Sequence, residues 1–155
     1  MKKVILATLL AAASTGAMAV DWDGGLTLGG SATTLHTDDG FSDPILKADL
    51  GYDTRYFHVE GGLGTNFADE DGYVFTFSGA AGYTFDLNEN WKMKPYLGLS
   101  KTEVVGKSSD SHSTTYTDLG LRTYYKSWYG DVVYHSPQEG KWDFPTLGFK
   151  VGYKF

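Results

Sequence analysis

Beyond the first twenty residues, large apolar positions alternate with small or polar ones along almost the whole chain. The alternation is clearest from Tyr73 to Phe85. Tyr73, Phe75, Phe77, Gly79, Ala81, Tyr83 and Phe85 share one parity; Val74, Thr76, Ser78, Ala80, Gly82 and Thr84 share the other. Successive strand residues point to opposite faces, so a period of two predicts strand. The same period predicts eight strands in all: Trp22 to Leu35, Ile45 to Tyr52, Tyr56 to Asn66, Tyr73 to Phe85, Trp91 to Val104, Thr114 to Tyr125, Trp128 to His135, and a last one ending at Phe155. In that last strand Leu147, Phe149, Val151, Tyr153 and Phe155 oppose Thr146, Gly148, Lys150, Gly152 and Lys154.

The connections alternate in length. His36–Pro44, Asn66–Gly72, Gly106–Ser113 and Ser136–Asp143 are the long ones. Asp53–Arg55, Asp86–Asn90 and Lys126–Ser127 are the short turns. The apolar parity is too large and too continuous for the outer faces of a secreted β-sandwich, which would be polar. It predicts an all-β, eight-stranded antiparallel up-and-down transmembrane β-barrel, with longer external loops and short periplasmic turns. Both termini are then periplasmic. Aromatic residues fall at the lower interface: Trp22, Tyr56, Trp91 and Trp128 start upward strands, and Tyr52, Phe85, Tyr125 and Phe155 end downward ones. Tyr and Trp favour that depth because an apolar ring carries a group that stays hydrated.

The first residues fit this location. Met1-Lys2-Lys3 is basic, Val4 to Ala13 is apolar, and Ala17-Met18-Ala19 fits a small-x-small cleavage site. The apolar run is shorter than the roughly 20 residues of a spanning helix. Residues 1–19 are therefore expected to be a cleaved signal peptide and residues 20–155 the barrel domain. Removing 19 of 155 residues leaves 136, a single domain. The formal charge of −6 becomes −8 without Lys2 and Lys3, which argues against nucleic acid as a partner. The absence of cysteine excludes a lipoprotein anchor and disulfides. Twenty glycines, with 11 Tyr, 9 Phe and 4 Trp, suit tight turns, small inward residues and aromatic belts.

An eight-stranded barrel is just wide enough to be filled by side chains. The inward parity carries both signs: Lys47, Lys94, Arg122 and Lys150 against Asp49, Glu60, Asp118 and Asp131. Buried charges must be paired or hydrated. Two readings follow: an ion-pair network that plugs the barrel, or a narrow ion or proton path along the same residues. No cofactor and no metal is expected, since no metal-ligand spacing is present. His58 is expected inward, in the network through Glu60, while His36 and His112 are expected in solvated loops. His135 is inward at the outer rim, followed by Ser136, with Glu139 close by, which makes these three the weak catalytic candidates. Some barrels that deacylate lipid A use His, Ser and Glu near the outer leaflet, the base activating the hydroxyl. Here His and Ser are adjacent, and a direct bond needs a bend at Pro137.

The acidic groups Asp38, Asp39 and Asp43, and Asp69, Glu70 and Asp71, read as a solvated surface or as oxygen ligands for divalent cations such as those that crosslink lipopolysaccharide. Pro95 removes a ladder hydrogen bond from a lipid-facing strand. It predicts a bulge near the interface, or a lateral gate of the kind used by palmitoyl-transferring barrels.

The signal sequence, the hairpin rhythm and the terminal Leu147-x-Phe149-x-Val151-x-Tyr153-x-Phe155 together resemble the small eight-stranded outer-membrane proteins grouped around OmpA and OmpX. The resemblance covers the mature chain and is architectural. It implies an outer-membrane location and contact with membrane lipid and lipopolysaccharide. It also implies a monomer and an assembly signal in Phe149, Val151, Tyr153 and Phe155 read by the barrel-assembly machinery. Members serve in adhesion, host-defence evasion and envelope integrity, and the short loops here weaken adhesion. The expected function is a non-enzymatic barrel that supports the envelope or binds through its external loops. The alternatives are a narrow channel or a lipid A-modifying hydrolase using His135.

Overall fold

Alternating β-branched, aromatic and glycine residues favour pleated strands that meet two different environments. The computed structural model describes residues 24–37, 40–41, 44–66, 72–105, 111–140 and 144–155. The expected signal peptide, Trp22 and the acidic residues Asp38, Asp39, Asp43, Asp69, Glu70 and Asp71 lie outside them. Eight long strands form: β1 Gly25–Thr37, β2 Ile45–Asp53, β3 Phe57–Asn66, β4 Tyr73–Gly82, β5 Trp91–Val105, β6 Ser111–Tyr125, β7 Trp128–Gly140 and β8 Thr146–Lys154. Each pairs antiparallel with its chain neighbour, and β8 returns to β1, with Leu28 opposite Tyr153 and Ala32 opposite Phe149. That last pairing closes the sheet into an up-and-down barrel. Two-residue pieces, Gly40–Phe41 and Phe85–Asp86, add to β1 and β5.

The two faces separate as the alternation predicts. Phe77, Leu97, Leu99, Leu119, Phe149 and Val151 are exposed on the outside, while Thr27, Glu60, Lys94, Asp118, Arg122 and Asp131 are buried inside. So large an exposed apolar surface marks contact with an apolar phase. At the end with the short turns, aromatic rings form a girdle: Trp91 on Tyr125 at 4.9 Å, Trp128 on Tyr153 at 5.4 Å, Tyr153 on Phe155 at 5.0 Å, and Tyr56 on Tyr83 at 5.8 Å. The tightest turn there is Lys126–Ser127, where Lys126 takes the left-handed φ of 56° that short hairpins demand.

Inside, glycines make room for large rings. A Cβ on Gly120 would lie 2.1 Å from the Tyr96 ring, and Gly29 and Gly152 leave the space that the Tyr129 hydroxyl fills.

Four expectations need correction. Asp53 is the last residue of β2, fully buried, and not part of the turn. β7 runs through Ser136, Pro137 and Glu139 to Gly140, so the expected loop there begins later. Pairing with β6 carries it on past a bulge, because Thr115 faces Glu139 while Tyr116 faces Pro137, leaving Gln138 as the extra residue. His36 and His112 lie in β1 and β6 rather than in loops. At Pro95 there is no bulge: Gly82 opposite Tyr96 and Phe85 opposite Met93 keep one register, and the ladder pauses at Tyr83 and Thr84 between them. The missing N–H of Pro95 accounts for the pause.

Candidate functional site

The alternation that turns Leu and Phe outward carries charged side chains into the lumen, where Asp53, Glu60, Lys94, Asp118, Arg122 and Asp131 are buried. There Arg122, from β6, is fully buried and makes four charge-assisted bonds. Its Nε and Nη2 donate to Asp131 Oδ2 at 2.9 and 2.7 Å, Nη2 also donates to Glu60 Oε1 at 2.9 Å, and Nη1 donates to Asp53 Oδ2 at 3.2 Å. The guanidinium carbon, Cζ, also lies 4.7 Å from the Tyr129 ring centre. One cation thus ties β6 to β2, β3 and β7. A fixed fork of donors suits this role better than an ammonium would.

A second cation closes the floor. Lys94 of β5 is fully buried and donates to Asp53 Oδ1 and to the Thr54 carbonyl, both at 2.7 Å. The Tyr124 hydroxyl also donates to Asp53. Lys150 of β8 donates to Glu60 Oε2, and the Tyr96 hydroxyl donates to Asp131 Oδ1 at 2.9 Å. Arg122, Lys94, Lys150, Asp53, Glu60 and Asp131 form one connected knot across the lumen.

Asp118 stands apart from it. Its Oδ1 accepts from Ser100 Oγ at 2.9 Å and lies 2.6 Å from His135 Nδ1. The structure therefore gives His135 a carboxylate partner, while Ser136 follows it on the opposite face of the strand, opposite Thr117, and Glu139 is exposed beyond the bulge. His135 and Ser136 are not brought together. Of the expected charged set, Lys47 donates to Thr76 Oγ1 at 3.4 Å, and Asp49 keeps a buried Oδ2 without a partner. His58 is buried edge-on against the Tyr96 ring at 4.5 Å, with its Nδ1 unpartnered, instead of joining Glu60. Ser31 Oγ is likewise unpartnered, and with Asp49 and His58 it lines a cavity of about 30 Å³. That is room for about one water.

Asp53 is the member that sequence reasoning missed. Asp-Thr-Arg reads as a turn, and only parity carried one residue further, from Asp49 and Gly51, would have placed it inside. Among the described residues, no group of three or more His, Cys, Asp or Glu is arranged to hold a metal ion.

An apolar outer wall, an aromatic girdle and a lumen crossed by paired charges define a small outer-membrane β-barrel. Residues 22–138 match the autotransporter β-domain family, and the chain belongs to that family. No curated protein matches the sequence. Among solved structures the chain is similar to Ail, the attachment invasion locus protein of Yersinia pestis, in complex with the heparin analogue sucrose octasulfate. The TM-score is 0.58 at 19% identity, over 88% of this chain and 100% of Ail. It is also similar to the N-terminal β-barrel domain of Pseudomonas aeruginosa OprF, with TM-score 0.58 and 13% identity over 86% and 98% of the two chains. Neisserial surface protein A gives 0.52 and 17% over 86% and 97%. At these identities the likeness is one of fold, and it bears out the resemblance to small outer-membrane barrels.

Proposed function

We propose that the protein is a non-enzymatic, non-conducting barrel that supports the outer membrane or binds at its surface. The observation that carries this reading is the Arg122 knot, whose bonds to Asp53, Glu60 and Asp131 span the lumen. Ions would have to break several buried, charge-assisted bonds to pass. The purified protein in planar bilayers is expected to show no discrete conductance. Reproducible steps altered by Glu60→Gln would favour a narrow channel instead. That second reading draws on the unpartnered Ser31, Asp49 and His58 atoms around the small cavity, which suit a short water file.

Lipid A hydrolysis is the third reading. Mass spectra of lipid A from cells overexpressing the protein are expected to match those from cells carrying His135→Ala. A mass change confined to the wild type would overturn the non-enzymatic reading.

The orientation follows from the short turns. We place the Lys126–Ser127 end and both chain ends in the periplasm, after removal of residues 1–19 as a signal peptide, with the protein monomeric and in contact with lipid and lipopolysaccharide. Outward Phe149, Val151, Tyr153 and Phe155 serve as the signal to the barrel-assembly machinery. Deleting Phe155 is expected to reduce the heat-modifiable, inserted fraction in membranes several-fold; insertion at wild-type levels would remove that role. Ail has been solved with a sulfated ligand, but the external segments here contain Asp38, Asp39, Asp43, Asp69, Glu70 and Asp71. Such a surface suits cationic partners or divalent ions rather than a polyanion.

A further inference from the structure

The outer wall is not evenly filled. Across β1 to β4 a groove of about 950 Å³ runs between Leu28, Leu50, Leu63 and Phe77, over the small outward residues Ala48 and Gly61. Leu50 pairs with Gly61 and Ala48 with Leu63, so each small residue lies beside a large one on the next strand. A Cβ on Gly61 would meet nothing within 4 Å. At one end the groove meets Leu26 and Tyr52, a cross-strand pair near the short turns. At the other it meets Lys101 and Glu103 of β5. These two continue the outward parity of Leu97 and Leu99, and their cross-strand neighbours on β4 are the exposed Phe77 and Phe75. Both charges are themselves exposed, and among the described residues neither forms an ion pair or a side-chain hydrogen bond.

A charge on the lipid-facing wall is costly at the bilayer midplane and costs little near the interface. Lys101 and Glu103 therefore mark headgroup depth, and the apolar groove below them lies at acyl-chain depth. A zwitterionic headgroup offers each of them a partner. Its phosphate oxygens accept from the Lys101 ammonium, and its own ammonium donates to the Glu103 carboxylate. A headgroup that carries phosphate alone leaves Glu103 facing like charge. We propose that the groove binds one molecule of phosphatidylethanolamine, with an acyl chain along Ala48 and Gly61 and the phosphoethanolamine between Lys101 and Glu103. The site rests on the lipid-facing wall and not on the state of the lumen. In the orientation proposed above, the headgroup lies in the external leaflet.

The test is native mass spectrometry of the mature barrel released from detergent micelles. Phosphatidylethanolamine, phosphatidylcholine, phosphatidylglycerol and lipid A are added in turn, the phospholipids with matched acyl chains. One phosphatidylethanolamine per barrel is expected to survive collision energies that strip the other lipids. Phosphatidylcholine keeps both charges, but its quaternary ammonium has no N–H to donate, and phosphatidylglycerol lacks the cation. The double variant Lys101→Gln, Glu103→Gln should lower the retained fraction about fivefold or more. Gly61→Leu should do the same from the acyl-chain end, because a side chain there enters the groove and not the barrel. Gly130→Leu, outward on β7 in a different groove of the wall, should leave retention unchanged. Native folding of each variant is checked by heat-modifiable migration. Equal retention of the three phospholipids, or retention indifferent to Gly61→Leu, would overturn the site. So would lipid A held more tightly than phosphatidylethanolamine and released by Lys101→Gln but not by Glu103→Gln, since the wall would then be reading phosphate alone.

Discussion

Asp49 and Asp53 sit on the same strand and the same face, four residues apart, and meet opposite surroundings. Asp53 takes part in bonds from Lys94, Arg122 and Tyr124. Asp49 has an oxygen that nothing in the described residues reaches, beside a cavity the size of a water. The first belongs to a buried region where long side chains from β5, β6 and β7 converge. The second faces a region lined by Ser31, Gly62 and His58, where small residues leave gaps. Burial alone therefore does not make an inward charge structural. What matters is whether donors from the opposite wall are long enough to arrive.

The largest break in this comparison comes from Arg122→Met. The substitution keeps much of the volume but leaves Asp53, Glu60 and Asp131 without their shared cation. Stranding buried charges in this way costs about 3–5 kcal/mol. Urea unfolding of the barrel in detergent micelles is expected to shift to a lower midpoint by that amount, or the protein to fail to refold. Wild-type stability would mean that the knot is replaceable by water.

Asp53→Asn is expected to cost less, about 2–3 kcal/mol, measured the same way. The amide keeps one acceptor oxygen for Lys94 or Arg122 but turns its N–H₂ toward the other. Lys94 retains the Thr54 carbonyl. A loss as large as that for Arg122→Met would mean that Asp53, and not the guanidinium, is the centre of the region.

The strands, their faces and the barrel were legible because a period of two is a local signal, repeated eight times with turns between. Leu147 to Phe155 needed only the next residue to be read correctly. The partners inside were not legible in the same way. Arg122 meets Glu60 and Asp53 across 62 and 69 residues of sequence, and Lys150 meets Glu60 across 90. Parity places each of these residues inward but says nothing of which opposing side chain it reaches. Turn chemistry misled in two places. Asp-Thr-Arg at 53–55 concealed a buried carboxylate, and Ser-Pro-Gln-Glu-Gly at 136–140 concealed the end of β7, where a bulge accommodates residues that ordinarily stop a strand.

The smallest expected effect is the one that sharpens the comparison most. Asp49→Asn replaces a carboxylate whose Oδ2 has no partner with a neutral amide of nearly the same shape. Loss of a solvated or unpaired charge should change stability by no more than about 0.5 kcal/mol, and removing its desolvation cost pushes the sign toward stabilisation. Lys47, on the same face two residues away, opposes that trend, since it loses a nearby anion while keeping its bond to the Thr76 hydroxyl. Measured by the same urea unfolding beside Asp53→Asn, a near-neutral Asp49→Asn would establish that two identical residues on one face differ through the reach of the opposite wall. A loss equal to that at Asp53 would instead show that Asp49 is held by hydration as firmly as Asp53 is held by Arg122 and Lys94.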